Sequence, residues 1–179
     1  MSYLVRKINK KAKVMELNTE SDINNASADL VTGEFRTTNN KLSTWYIEDL
    51  NSIDDAVLAI AISGTDVSKI DVIIINTDIL KEKDVKYSQT YAGMDIGVPD
   101  LQDTHYDLEE ITLKKIISCC HIYKELANEK NADTYIIRYT KKDVLKLFDD
   151  AIAKKRVEIE NTRENVKTEI AKKMNIDIS

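Results

Sequence analysis

The segment KIDVIIIN, residues 69–76, constrains the fold more than any other part of the chain. It contains four consecutive apolar residues, and three of them are isoleucine. A β-branched run of this kind is typical of a strand that is buried on both faces of a sheet. The upstream segment LSTWYI, residues 42–47, is rich in β-branched and aromatic residues and predicts a second strand.

Between these two strands, the apolar residues of 53–62 recur at helical spacing, and Gly64 follows as a stop signal. The order strand, helix, strand favours a right-handed βαβ unit of parallel strands over 42–76. Further strands are predicted at 3–8 and 134–139. We therefore expect an α+β or three-layer α/β fold with a small mixed sheet of about four or five strands.

Two capping patterns predict further helices. Thr104-His105-Tyr106-Asp107 predicts the start of a long helix over 108–127, after a polar loop over 81–102. Thr140, followed by Asp143, predicts the start of another helix, which ends near residue 153. The residues up to 153 are expected to form one α/β globular domain.

Residues 154–179 have helical propensity but are highly charged. Their apolar residues form only a thin stripe, Ile159, Val166, Ile170 and Met174. Such a stripe either crosses its own domain or meets a partner. We expect 154–179 to be a helical appendage that contacts a protein partner or a second copy of the chain.

The composition excludes several chemistries. The 179 residues include only four glycines, and neither phosphate-binding glycine motif is present. The two cysteines are adjacent and the two histidines form no H-E-x-x-H pattern, so no motif calls for a metal ion or a cofactor. The apolar runs are too short for a signal peptide or a membrane span, which favours a cytoplasmic protein with free, buried thiols.

A polar turn before the second strand is the first candidate binding site. Arg36 can hold a phosphate or a carboxylate through two hydrogen bonds, and Trp45 can stack on a base. The other members offer hydroxyl and amide groups, namely Thr37, Thr38, Asn39, Asn40 and Ser43. The alternative is an ordinary turn, with Trp45 packed in the core.

A histidine among carboxylates is the second candidate site. Asp103 or Asp107 would hold one ring nitrogen of His105, which would then act as a general acid or base. The alternative is that these acids only complement the positive end of a helix. If both candidate sites met in one pocket, the protein would be an enzyme acting on a nucleotide or another phosphorylated ligand.

A basic run near the N-terminus is a candidate site for nucleic acid or an acidic partner, and consists of Arg6, Lys7, Lys10, Lys11 and Lys13. The formal net charge of −5 favours the alternative, in which this run lies against acidic residues of its own domain.

No catalytic motif is evident in the sequence, and its Lys-, Asn- and Ile-rich composition is typical of an A+T-rich genome. We therefore expect a small cytoplasmic interaction or regulatory protein, or a subunit of a bacterial or phage-related assembly. The enzyme and the nucleic-acid-binding protein are the alternatives.

Overall fold

The computed structural model describes residues 1–9, 11–14, 16, 19–64, 67–91, 97–128 and 132–174. In this part of the chain, six strands form one sheet with the spatial order β4-β5-β2-β1-β3-β6. The strands are β1 (Tyr3–Ile8), β2 (Leu42–Ile47), β3 (Ile70–Asn76), β4 (Tyr87–Gln89), β5 (His105–Leu108) and β6 (Ile136–Tyr139).

Every neighbouring pair in this sheet is antiparallel. The first strand lies near the centre, where Val5 is opposite Trp45 of β2 on one side and opposite Ile74 of β3 on the other. This central place suits β1, because its residues 3–5 are all buried.

Helices cover both faces of the sheet. In chain order they are α1 (Lys11–Val14), α2 (Glu20–Asn24), α3 (Ala28–Glu34), α4 (Ile53–Ser63), α5 (Thr77–Glu82), α6 (Leu113–Asn128), α7 (Ala132–Tyr135), α8 (Lys141–Ala153) and α9 (Glu164–Met174). Short 3-10 helices occupy Leu50–Ser52, Pro99–Thr104 and Ile159–Asn161.

Two apolar clusters hold these layers together, one on each face of the sheet. We call them the Trp45 face and the Leu108 face. On the Trp45 face, strand residues pack with buried side chains of α4, α8 and α9, including Val57, Phe148 and Val166. On the Leu108 face, strand residues pack chiefly with α6, including Ile122. The structure is therefore a mixed α/β fold in which helices cover both faces of one antiparallel sheet.

The predicted βαβ unit over 42–76 is wrong in its pairing. Strands β2 and β3 do run in the same direction, because both are antiparallel to β1, and α4 connects them as predicted. They are not neighbours, however, because β1 lies between them. The sheet is also antiparallel rather than mixed, and it has six strands rather than four or five.

A second correction concerns the predicted helix start at residues 104–107. Residues His105–Leu108 form strand β5, which pairs with both β2 and β4, and the helix begins only at Leu113. The Thr104 hydroxyl donates to the Leu101 carbonyl (2.8 Å) and so closes a 3-10 helix instead of capping an α-helix. The predicted loop over 81–102 contains β4, which is only three residues long.

The segment after α8 does not continue as one helix. Its backbone turns at Lys155, which has a positive φ of 56°, and α9 begins at Glu164. Within α9, Val166 and Ile170 of the predicted stripe are buried in the cluster on the Trp45 face. Residues 175–179 lie outside the described residues.

Candidate functional site

Strands β2, β5 and β4 display different side chains on their two faces, because successive residues of a strand point to opposite sides. On β5, His105 and Asp107 share the Trp45 face, whereas Tyr106 and Leu108 share the Leu108 face. Each face therefore forms a separate candidate site.

Four predicted site residues meet on the Trp45 face. The register of β2 and β5 places Trp45 opposite His105 and Ser43 opposite Asp107. The rings of Trp45 and His105 are in edge-to-face contact, with centroids 4.9 Å apart. Trp45 is buried in the core, so it contacts the imidazole ring and does not offer a free face for stacking.

A hydrogen-bond chain orders the buried polar groups of this site. Nδ1 of His105 lies 2.9 Å from the Thr90 hydroxyl, and this hydroxyl donates to a carboxylate oxygen of Asp107 at 3.1 Å. We call this the Asp107–Thr90–His105 chain. His105 and Asp107 are each only 9% exposed. Since β4 brings Thr90 beside His105, the chain depends on the pairing of β4 with β5.

A lysine and a second carboxylate flank this chain. The ammonium of Lys41 lies 4.0 Å from Asp107 and 3.2 Å from Glu109. Hydrogen bonds from Ser88 and Lys41 lower the pKa of Glu109. Sequence reasoning did not identify Thr90 or Lys41, because each reaches the site only through strand pairing between distant segments.

The other residues predicted for this site lie in turns. Arg36 is exposed, and Asn39 and Asn40 adopt positive φ angles of 52° and 57° in the turn before β2. The carbonyl of Asn40 accepts from the Ile111 amide, and the carbonyl of Asp103 accepts from the Gln89 side chain. Thr38 forms a bridge with Lys41, and Thr37 is half-buried in the same turn.

The basic N-terminal residues point in different directions. Arg6 and Lys7 are consecutive in β1 and face opposite sides of the sheet. Arg6 donates to the carbonyls of Ser43 and Glu34, and Lys13 forms an ion pair with Asp29. Lys11 begins α1, and Lys10 lies outside the described residues.

A row of tyrosines, which sequence reasoning did not identify, forms the second candidate site on the Leu108 face. Tyr46 of β2, Tyr106 of β5 and Tyr87 of β4 are all half-buried. The rings of Tyr46 and Tyr106 are stacked with centroids 5.1 Å apart, and those of Tyr87 and Tyr106 are 6.3 Å apart. Burial and the neighbouring phenols raise the pKa of Tyr106.

A surface depression lies at the β4 end of this tyrosine row. There, Tyr87 lines a depression of about 420 Å³ together with Lys81, Lys86 and Glu109. Tyr46 also contributes to a second depression, of about 310 Å³, but Ile47 and the α4 residues in its lining belong to the Trp45 face. Three half-buried tyrosines beside one depression make a surface that a large ligand can contact at several points.

Within the described ranges, no group of three or more histidine, cysteine or acidic side chains is arranged to hold a metal ion. No helix in those ranges is both long and apolar enough to cross a membrane. The two cysteines are free and buried, as the sequence predicts.

Comparison with known proteins gives no relative from which a function could be transferred. No family model matches the chain, and neither curated proteins nor solved structures match it significantly.

Proposed function

We propose that this protein is a non-catalytic interaction protein that binds a protein partner through its tyrosine row. The observation that carries this proposal is the alignment of Tyr46, Tyr106 and Tyr87 on three neighbouring strands. Tyrosine is enriched at protein interfaces, because it gives a large contact area and a polar hydroxyl at a small cost in side-chain entropy.

The charges around the tyrosine row favour a protein partner over a nucleic acid. Two lysines close to the row are paired with carboxylates, Lys86 with Glu110 at 2.9 Å and Lys81 with Asp78 at 3.2 Å. Paired lysines attract phosphate weakly, whereas nucleic-acid binding draws its affinity from uncompensated positive charge. The formal net charge of −5 also favours a protein partner over a nucleic acid, which is itself negatively charged.

The C-terminal segment contributes less to this proposed interface than its sequence indicates. Two residues of its apolar stripe, Val166 and Ile170, are buried against the protein's own helices. An apolar side chain that is already covered adds little to the association with another molecule. We therefore place the contact surface on the sheet rather than on residues 154–179.

The proposed setting is the cytoplasm of a bacterium or of a phage-infected cell. The Lys-, Asn- and Ile-rich composition, typical of an A+T-rich genome, supports the bacterial or phage source. The two free thiols support a cytoplasmic location, because free thiols persist in a reducing compartment.

The test compares capture of a partner by the wild type and by matched variants. Proteins that the full chain retains from a lysate of the source cells are identified, and the main one is purified for titration. We expect Tyr106→Glu to weaken binding at least tenfold and Asn165→Glu to leave it unchanged. Asn165 is an exposed residue of α9, and its substitution adds the same charge on another helix.

Circular dichroism and thermal unfolding show whether each variant is folded. Should Tyr106→Glu fail to fold, Tyr87→Ser on the edge strand provides the second test, because Tyr87 has strand neighbours on one side only. Equal binding by the wild type and by a folded tyrosine variant contradicts the proposal, as does the absence of any retained protein.

A further inference from the structure

We propose that two copies of this protein pair through the free edge of β4, so that their sheets join into one antiparallel sheet across a two-fold axis. The partner in this proposal is a second copy of the chain, and the hydrogen bonds come from the backbone of β4. The proposal goes beyond the binding of another protein at the tyrosine row, because it rests on different groups.

Strand β4 lies at one end of the sheet, and in the described part of the chain only β5 pairs with it. The ladder between these two strands extends past β4 in both directions. At one end, the Glu109 amide donates to the carbonyl of Lys86 at 2.9 Å. At the other end, the Thr90 amide donates to the carbonyl of His105 at 3.0 Å. The edge that a second copy meets therefore extends over residues 86–90.

This ladder shows which backbone groups of β4 are free. In an antiparallel pair, residues that bond to the neighbouring strand alternate with residues whose N–H and C=O groups point away from it. Lys86 and Thr90 bond to β5, so Ser88 between them does so as well. Tyr87 and Gln89 therefore direct their N–H and C=O groups outward, where no other described residue bonds to them. A free edge of this kind is a template for another strand.

A pairing centred on Ser88 uses all of these outward groups. A two-fold axis perpendicular to the sheet at Ser88 places Tyr87 of one copy opposite Gln89 of the other. Two residues paired in this way exchange both of their backbone hydrogen bonds. The symmetry repeats the pair, so that every outward N–H and C=O group of these two residues has a partner. Residues 87–89 are uncharged, so the pairing brings no like charges together at the axis.

The two ends of β4 carry complementary features, which favour a second copy over an unrelated strand. Beyond the C-terminal end, the large side chain of Tyr91 is 69% exposed. At the N-terminal end, Val85 and Tyr87 line the depression of about 420 Å³. Because the paired strands run in opposite directions, Tyr91 of each copy lies beside the depression of the other, once on each side of the axis.

The opposite edge of the sheet is less suited to such pairing. There, β6 carries Arg138, whose half-exposed side chain forms an ion pair with Asp71 of β3 at 2.8 Å. A charged side chain on an edge strand discourages the addition of another strand. The edge of β4 lacks such a charge over residues 87–89, and we therefore assign the contact to β4.

The test compares the wild type with two variants at position 89, by sedimentation velocity over a range of concentrations. Gln89→Ala and Gln89→Pro both remove the side-chain hydrogen bond to the Asp103 carbonyl, but only proline also removes the outward N–H. We expect the wild type and Gln89→Ala to dimerise with similar affinity. Gln89→Pro should raise the dissociation constant at least tenfold. A wild type that stays monomeric up to millimolar concentration, or equal dimerisation by a folded Gln89→Pro, overturns the proposal.

Circular dichroism shows whether each variant is folded. Should Gln89→Pro fail to fold, Tyr91→Ser provides the second test, because Tyr91 is exposed and lies outside β4. We expect it to weaken the dimer at least tenfold. Leu113→Ser is the matched control, since Leu113 is a similarly exposed side chain on α6, and it should leave the dimer unchanged. Equal effects of the two serine substitutions contradict the proposed contact.

Hydrogen exchange locates the contact in the wild type. The amides of Tyr87 and Gln89 should exchange at least tenfold more slowly in the dimer than in the dilute monomer, because the second copy accepts from both. The Ser88 amide, which already bonds to β5, should change less. A dimer in which the amides of Tyr87 and Gln89 exchange as fast as in the monomer overturns the proposal.

Discussion

The carboxylate of Glu34 is fully buried on the Leu108 face, and its Oε1 lies 3.9 Å from the Nε of Arg6. The carboxylate also accepts from the amide of Asn9 at 2.7 Å, while Arg6 donates to the carbonyl of the same glutamate. Burial and Glu34 together raise the pKa of Tyr123. These contacts connect β1 to the end of α3.

Removing Glu34 should therefore be costly. We expect Glu34→Ala to lower the free energy of unfolding by about 3–5 kcal/mol, because Arg6 then remains buried without its anion. The double variant Arg6→Met, Glu34→Leu should recover most of this loss. Urea unfolding measures both effects, and Asp78→Ala in an exposed pair should change stability by less than about 1 kcal/mol. An equally large loss in the double variant would argue against the buried pair.

The buried thiols predict alkaline instability. Burial raises the pKa of Cys120 to about 11 from its ordinary value of 9.0, and that of Cys119 to about 12. The unfolded chain therefore loses thiol protons first, so the free energy of unfolding should fall as the pH rises above 9.0. In the double variant Cys119→Ala, Cys120→Ala this fall should be shallower. Urea unfolding at a series of pH values measures it, and the same pH dependence in the wild type and in the double variant would contradict the raised thiol pKa values.

The capping pattern of α8 forms as the sequence predicts. The Thr140 hydroxyl accepts from the Asp143 amide, and the Asp143 carboxylate accepts from the Thr140 amide. These bonds from Thr140 also lower the pKa of Asp143. We expect Thr140→Ala to cost about 1 kcal/mol in thermal or urea unfolding. Thr168→Ala, which removes an exposed hydroxyl from inside α9, should cost less. Equal losses would show that the cap contributes nothing.

Elements with a strong local pattern were predictable from the sequence. Both β1 and β2 have the predicted bounds, and α4 covers the predicted 53–62. The segment HYDL was misassigned because its polar and acidic residues also fit a helix start. Its pairing with β2 and β4 decides in favour of a strand, and neither partner is local in sequence.

The arrangement of the strands could not be predicted for the same physical reason. A strand–helix–strand pattern fixes the direction of β2 and β3, but it does not show that a third strand lies between them. That strand, β1, precedes β2 by more than thirty residues. The same limit applies to the site: His105 and Asp107 were identified from their type, whereas Thr90 and the tyrosine row depend on the sheet.

The C-terminal segment is tied to the rest of the molecule by polar contacts as well as by its buried stripe. Arg156 forms ion pairs with Asp55 of α4 and with Asp100, at 2.8 and 2.7 Å. The Glu158 amide donates to the carbonyl of Gly97, which has a positive φ of 73°. A Cβ atom at Gly97 would lie 2.7 Å from the side chain of Thr162.

Gly97→Ala should therefore destabilise the whole molecule by about 1–3 kcal/mol, because it adds both a strained φ and a steric clash. Gly33→Ala is the matched control, since Gly33 lies in α3 and alanine favours a helix. We expect opposite signs for the two substitutions in urea unfolding. A neutral Gly97→Ala would show that residues 158–162 do not pack against this turn.

Both proposals require residues 105–108 to be a strand that pairs with β2 and β4. A NOESY spectrum of the full chain examines both faces at once. We expect contacts between the rings of Trp45 and His105, and separately between the rings of Tyr46 and Tyr106. Helical contacts from the Hα of His105 to the amide of Leu108, without these cross-strand contacts, would contradict the fold and both proposals.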